Sequence, residues 1–188
     1  MVFEQGNYYH LFNRGCNKEP LFNSEADYYE LLNRIKNSDH RFYVNIISYC
    51  LMPNHYHFLV QQKTDCPVTK WIRFIFNGYV QYYNQKYERS GTLFESRVKP
   101  KLITDNNYLL RVVLYIHLNP VLAKLVSKPE DWEFSNYNDW IGNTKTGLTD
   151  IEFIYLFFSS VSEYKLLAEE AIEDKLLQQE IAKSEIEL

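Results

Sequence analysis

His55-Tyr56-His57 is the segment of this chain best suited to chemistry. On a β-strand, side chains at i and i+2 share a face, so both imidazoles point one way while Tyr56 and Phe58 point the other. Two neighbouring imidazoles can chelate a divalent cation. Two unrelated histidines on a half-exposed strand give the same spacing, so the tripeptide alone does not choose between these readings.

Two further sets of residues add to it. Tyr115 and Asn119 stand four apart in a segment of helical periodicity and so share a helix face. Leu109, Val112, Val113 and Ile116 give that helix an apolar side to lay on a sheet. Pro120 is expected to end the helix at Asn119, leaving the amide at a terminus where it can reach outward. On spacing alone a helical tyrosine is more often a packing residue, and Asn before Pro is ordinary helix-stop chemistry. The third set is basic: Asn13-Arg14 closes the first strand, and Arg97, Lys99 and Lys101 alternate along a later one. Alternate positions share a face, which makes a stripe suited to phosphates. A solvated edge strand protected by charge would look the same. Tyr and Phe beside such a surface can stack unpaired bases.

The elements that must position these residues are legible from periodicity. Residues 7–13 read as a strand running into Arg14-Gly15. Residues 24–36 read as a helix, with Ser24 at its cap, Asp27 three positions on, and Tyr28, Leu31, Leu32 and Ile35 on one face. Residues 42–51 and 55–61 read as two strands joined at Met52-Pro53-Asn54, a hairpin signal. Residues 68–87 return to helical spacing, 98–103 read as a short strand, and Thr104 or Asp105 caps the helix that carries Tyr115. The order predicts an α+β fold: a ferredoxin-like β-α-β-β-α-β core with an antiparallel sheet and one added helix. Farther on, Asp131-Trp132-Glu133-Phe134-Ser135 and Tyr137 read as a loop pinned by aromatics, and 142–147 as a linker. Thr149 and Glu152 read as a capping box, and a charged helical tail begins near Glu163.

The chain has 188 residues and a formal charge of −4, which hides an asymmetry. Residues 1–126 carry 15 Lys+Arg against 10 Asp+Glu, whereas residues 127–188 carry 5 against 14. Thirteen of the 16 tyrosines also fall in the first part. We therefore divide the chain into a +5 core, residues 1–126, and a −9 aromatic loop and helical tail, residues 127–188. The acidic total accordingly does not exclude a nucleic-acid partner. An apolar content of 46%, without a run of membrane length, excludes disorder and membrane spanning as the governing character. Cys16, Cys50 and Cys66 form no CxxC pair and are expected as small buried hydrophobes. The first residues lack a basic region followed by an apolar stretch, so a reduced cytoplasmic location is expected.

Four segments occur in an order that carries a resemblance: Asn13-Arg14-Gly15, Tyr49 to His57, Gly91 to Arg97, and Tyr115-Ile116-His117-Leu118-Asn119-Pro120-Val121. Together, over about residues 6–140, they resemble the single-tyrosine HUH transposases, and most closely the REP-associated tyrosine transposase branch. The resemblance implies a metal-dependent endonuclease that nicks and rejoins single-stranded DNA beside a hairpin. It assigns Mg²⁺ or Mn²⁺ to His55 and His57, with Asn119 as a third polar ligand. Tyr115 becomes the nucleophile, leaving a 5′-phosphotyrosine and a 3′-hydroxyl. The added helix is then the nucleophile-bearing one, and Asn13, Arg14, Arg97, Lys99 and Lys101 are the DNA-binding candidates. Two imidazoles and an amide make a soft, neutral site for Mg²⁺, so DNA phosphates are expected to complete the coordination.

Competing readings are a catalytically silent relative that grips hairpin DNA, and a metal hydrolase unrelated to DNA. The hydrolase would need carboxylates near His55 and His57, and the sequence offers none nearby. A three-carboxylate recombinase fails similarly. His117, inside the Tyr115 segment, is open between a contact to the site or DNA and a plain surface position. Monomer and homodimer both remain compatible with the sequence, as do a tyrosine acting in cis or in trans.

Overall fold

The computed structural model describes residues 3–38 and 43–174. Its core elements are β1 (Tyr8–Arg14), α1 (Glu25–Lys36), β2 (Val44–Met52), β3 (His55–Gln62), α2 (Val68–Lys86), β4 (Lys99–Ile103) and α3 (Asn106–Leu122). The strands form one antiparallel sheet in the order β2-β3-β1-β4. This is the expected ferredoxin-like α+β arrangement with α3 added. After it come the short helices α4 (Tyr137–Trp140) and α5 (Ile151–Ile154), then α6 (Val161–Glu173). Among the described residues, no helix is long and apolar enough to cross a membrane.

The sheet has two unlike faces. On one, Tyr28, Leu31 and Ile35 of α1 and Trp71, Ile72 and Ile75 of α2 pack over Tyr9, Leu11, Tyr56 and Phe58. These residues recur at 3.6 spacing in the helices and 2.0 in the strands. α1 starts where expected: Asp27 accepts from the backbone N–H of Asn23 and of Ser24, each at 2.9 Å. On the other face α3 lies over Ile47, Leu59 and Ile103, and the later segments close over α3 in turn. Tyr137, Trp140, Phe153 and Tyr164 complete that second core. Enclosed on two sides, α3 is buried continuously from Val112 to Pro120.

Residues 127–174 are packed on the core. β2 is an edge strand, and its exposed backbone is taken up by Leu51 N–H donating to the Phe134 carbonyl (2.9 Å), Asn136 N–H to Tyr49 (3.2 Å) and Asp150 N–H to Ile46 (2.8 Å). A register shift between Ile46 and Ser48 leaves the Ile47 carbonyl for the Asn136 amide and the Trp140 indole, both at 2.9 Å. The expected aromatic pinning is present: Phe134 stacks on Tyr28 at 3.9 Å, and the Trp132 indole donates to the Leu51 carbonyl.

Several local expectations fail for identifiable reasons. Pro120 does not end α3, which continues to Leu122. The stop is a Schellman motif: Lys124 adopts a left-handed φ of 58°, Leu125 N–H donates to the Pro120 carbonyl and Lys124 N–H to Val121. Proline removes one N–H, and a closed C-terminus beyond it suffices to hold the last turn. Thr149 forms no capping box; Asp150 precedes α5, and the Thr149 hydroxyl donates to buried Asp139 at 2.5 Å. Asp139 also accepts from Thr144 and Thr146, fastening the 142–147 segment read as a linker. Only Cys50 is fully buried; Cys16 and Cys66 are half-buried in connections. Arg97 lies in the bend before β4 and does not share the strand of Lys99 and Lys101.

Candidate metal and tyrosine centre

β3 is joined to β2 by Pro53-Asn54 and paired with β1 on its other side, which fixes the face that each histidine takes. His55 and His57 both look toward α3, while Tyr56 and Phe58 enter the opposite core. α3 brings Tyr115 to the same place. Its ring lies edge-on to the His57 ring, 5.2 Å between centroids. One turn later comes Asn119, only 3% exposed, whose amide works against the burial-driven fall in the His55 pKa. The expected grouping of His55, His57, Tyr115 and Asn119 is therefore realised within one chain.

The tautomers follow from the partners. His55 Nδ1 is 2.7 Å from the Asn54 amide oxygen, which can only accept, so Nδ1 carries the proton and Nε2 keeps its lone pair. His57 Nδ1 is 2.9 Å from Nε2 of His10, a residue of β1 that the sequence reading passed over. The other nitrogen of His57, Nε2, is buried without a hydrogen-bond partner. Buried polar atoms are rarely left so, and those that are often await an ion or ligand. By chemical type, two neutral imidazoles and an amide oxygen are donors that could hold a divalent cation. Among the described residues no group of three or more His, Cys, Asp or Glu is arranged to hold a metal by itself.

Electrostatics keep the imidazoles neutral, as ligation requires. Burial lowers His55 to about 4, with Asn119 opposing the shift and Arg14 adding to it. His57 is pushed well down by burial and by its two histidine neighbours. His10 falls to about 3 through burial and the charge of Lys101.

The basic residues divide. Lys99 and Lys101 are exposed on β4, opposite Phe12 and His10, on the same face as the histidines. The Lys101 ammonium lies 5.4 Å from the Tyr108 ring centre. Arg14, level with His55, forms a two-pronged ion pair with Glu95. Exposed Arg97 follows in the same loop. Asn13 faces the opposite side, buried, where its amide donates to the Ser96 carbonyl at 2.8 Å and accepts from Arg14 N–H. It fastens the loop that carries Glu95 and Arg97 to the end of β1. Gly15 is needed at that junction, because a Cβ there would stand 2.0 Å from the Glu19 carbonyl oxygen.

His117 is the fifth histidine and resolves as a packing residue. It is fully buried on the tail side of α3, with Nδ1 2.6 Å from the Tyr164 hydroxyl and Nε2 2.9 Å from the Asn136 amide oxygen.

Comparison with known proteins bears on this constellation. The family model described as "Transposase IS200 like" matches residues 4–119, more than half of the chain. The chain belongs to the IS200-like transposase family. The match takes in every candidate site residue and ends at Asn119, before the segments that cover α3. No curated protein matches the chain. Among solved structures, a REP-associated tyrosine transposase bound to a REP hairpin is similar in fold. Its TM-score is 0.64 at 19% identity, over 80% of this chain and 87% of that one. Members of the IS200-like family are transposases, so an enzyme acting on DNA is the general reading for this chain.

Proposed function

We propose that this transposase nicks and rejoins single-stranded DNA at hairpin-flanked sites in the manner of the REP-associated branch, with Tyr115 as nucleophile and a 5′-phosphotyrosine intermediate. The observation that carries the reading is the buried, unpartnered Nε2 of His57 on a ring packed edge-on against Tyr115. A hairpin-bound protein of the same fold supports the choice of substrate.

In this reading His55 Nε2, His57 Nε2 and the Asn119 amide oxygen would hold Mg²⁺ or Mn²⁺. Held there, the cation would supply charge neutralisation and orientation at the scissile phosphate. Lys99, Lys101, Arg14 and Arg97 flank that position and draw in the phosphate backbone, while Asn13 keeps their loop in place. The Tyr115 hydroxyl oxygen forms a bond to phosphorus as the bond from phosphorus to the 3′ oxygen breaks. The phenolic proton is released, and the departing oxygen takes up a proton to become a 3′-hydroxyl. The phosphodiester energy is kept in the tyrosyl ester, so a 3′-hydroxyl reverses the step without ATP. In this reading Tyr115, packed against His57 of its own chain, attacks in cis.

The test is incubation with end-labelled single-stranded hairpin oligonucleotides and Mg²⁺ or Mn²⁺. A covalent protein–DNA band is expected, absent in Tyr115→Phe, while hairpin binding is retained. Tight hairpin binding by the wild type with no covalent band across substrates would leave the catalytically silent reading in its place.

A further inference from the structure

The sequence of β1 places His10 in a strand with Phe12 and Arg14 on the same face. Antiparallel pairing with β3 sets Phe12 opposite His57 and His10 opposite Leu59, so His10 stands diagonally across from His57. The two rings stack with centroids 5.1 Å apart, and His10 Nε2 meets His57 Nδ1 at 2.9 Å. His10 is itself buried, between Phe12 at 4.9 Å and Tyr115 at 6.4 Å.

One proton occupies the bond between the two rings, and its position decides what the far side of His57 offers. If His10 Nε2 holds the proton, His57 must carry its own on Nε2, an N–H buried without an acceptor. Such a donor presents no lone pair to a cation. If His57 Nδ1 holds the proton, Nε2 is a bare lone pair. His55 is already fixed this way by Asn54. We infer that His10 is a positioning residue: it accepts the Nδ1 proton of His57 and thereby holds the His57 ring in the tautomer and orientation whose Nε2 can ligate a divalent cation. The role presupposes the metal reading proposed above. It adds that the ligand on β3 is tuned from β1, as outer-shell acceptors tune metal-bound imidazoles generally.

The full-length protein labelled with ¹⁵N-histidine, without added metal and near neutral pH, reads this directly. Long-range ¹H–¹⁵N correlations are expected to show His57 protonated at Nδ1. His10→Phe keeps an aromatic ring but no acceptor. It should move His57 toward the Nε2-protonated form and weaken Mn²⁺ binding, read from the EPR signal of unbound Mn²⁺, by about tenfold or more. His10→Gln, whose amide oxygen can accept, should restore much of both. A wild-type His57 protonated at Nε2 overturns the positioning role whatever the stability of the variants. So does a folded His10→Phe protein with unchanged tautomer and affinity. Mn²⁺ binding indifferent to His57→Ala overturns the metal reading itself, and the inference falls with it.

Discussion

His57 and His117 are both buried imidazoles on opposite sides of the helix that carries Tyr115, and they differ by a single hydrogen bond. His117 has a partner at each nitrogen, Tyr164 on one side and Asn136 on the other. His57 has one partner, His10, and a bare second nitrogen. The saturated ring does structural work. It ties α3 to Asn136, which itself accepts from Tyr49 N–H and donates to the Ile47 carbonyl. The half-satisfied ring keeps a nitrogen that no protein group engages. Burial alone therefore does not tell these two histidines apart; the count of satisfied nitrogens does.

Substituting both positions tests this contrast. His57→Ala should reduce the rate of covalent adduct formation by on the order of 10³-fold, as loss of a group acting directly on the reacting centre commonly does. Its thermal midpoint should fall less than that of His117→Ala, because only His10 loses a partner. His117→Ala strands the buried Tyr164 hydroxyl and leaves the Asn136 amide oxygen with only the Tyr49 N–H, a loss of roughly 3 kcal/mol. For a chain of this size that is a fall of about 6–12 °C in the thermal midpoint. Cleavage per folded molecule should stay near wild type. Adduct assays at a permissive temperature, paired with calorimetry, separate the two. Equal loss of cleavage in both folded variants would erase the distinction.

The α1–α2 side of the sheet offers a second contrast, since its buried charge is fully engaged. Asp27 accepts from Lys86, Tyr82, Tyr87 and two backbone N–H groups. Burial alone would raise its carboxyl, but the Lys86, Tyr87, Asn23 and Ser24 hydrogen bonds outweigh that and hold it below the ordinary carboxylate range. A folded-state value below the unfolded one contributes stability that is complete above about pH 4 and is lost as pH falls through the folded value. Asp27→Asn should therefore be less stable than wild type in urea at pH 6. The gap should close as pH drops below 4. A gap independent of pH would mean that Asp27 acts through shape and not through its charge.

How much of this could be read from the sequence depended on distance along the chain. The His55–His57 pair and the Tyr115–Asn119 pair each lie within one element, and periodicity alone assigns their faces. The helix starts at Ser24 and Asp105 were equally local. His10 was invisible because its meaning depends on the register between β1 and β3, 47 residues apart. The partners of His117 lie 19 and 47 residues away, so its environment could not be anticipated either. Pro120 and Thr149 show the opposite failure. There a sound local rule was overridden, once by a Schellman end at Lys124 and once by the buried carboxylate of Asp139.

The smallest expected effect concerns the basic stripe, where charge and face make different predictions. Lys99 and Lys101 share the histidine face, whereas Asn13 points into the other core. If the two lysines contact phosphates, the Lys99→Ala/Lys101→Ala double variant should lower the slope of log K against log salt for single-stranded hairpin DNA by about 1.4, roughly 0.7 for each phosphate contact. Asn13→Ser should leave that slope as it is, because it neutralises no phosphate, and should act only through loosening of the 94–97 loop. Fluorescence anisotropy from low to moderate salt measures both. A double variant with the wild-type slope would make the stripe a charged edge strand that only prevents sheet-to-sheet association. DNA approach would then fall to Arg14 and Arg97, and the Arg14–Glu95 ion pair would have to open for Arg14 to reach a phosphate.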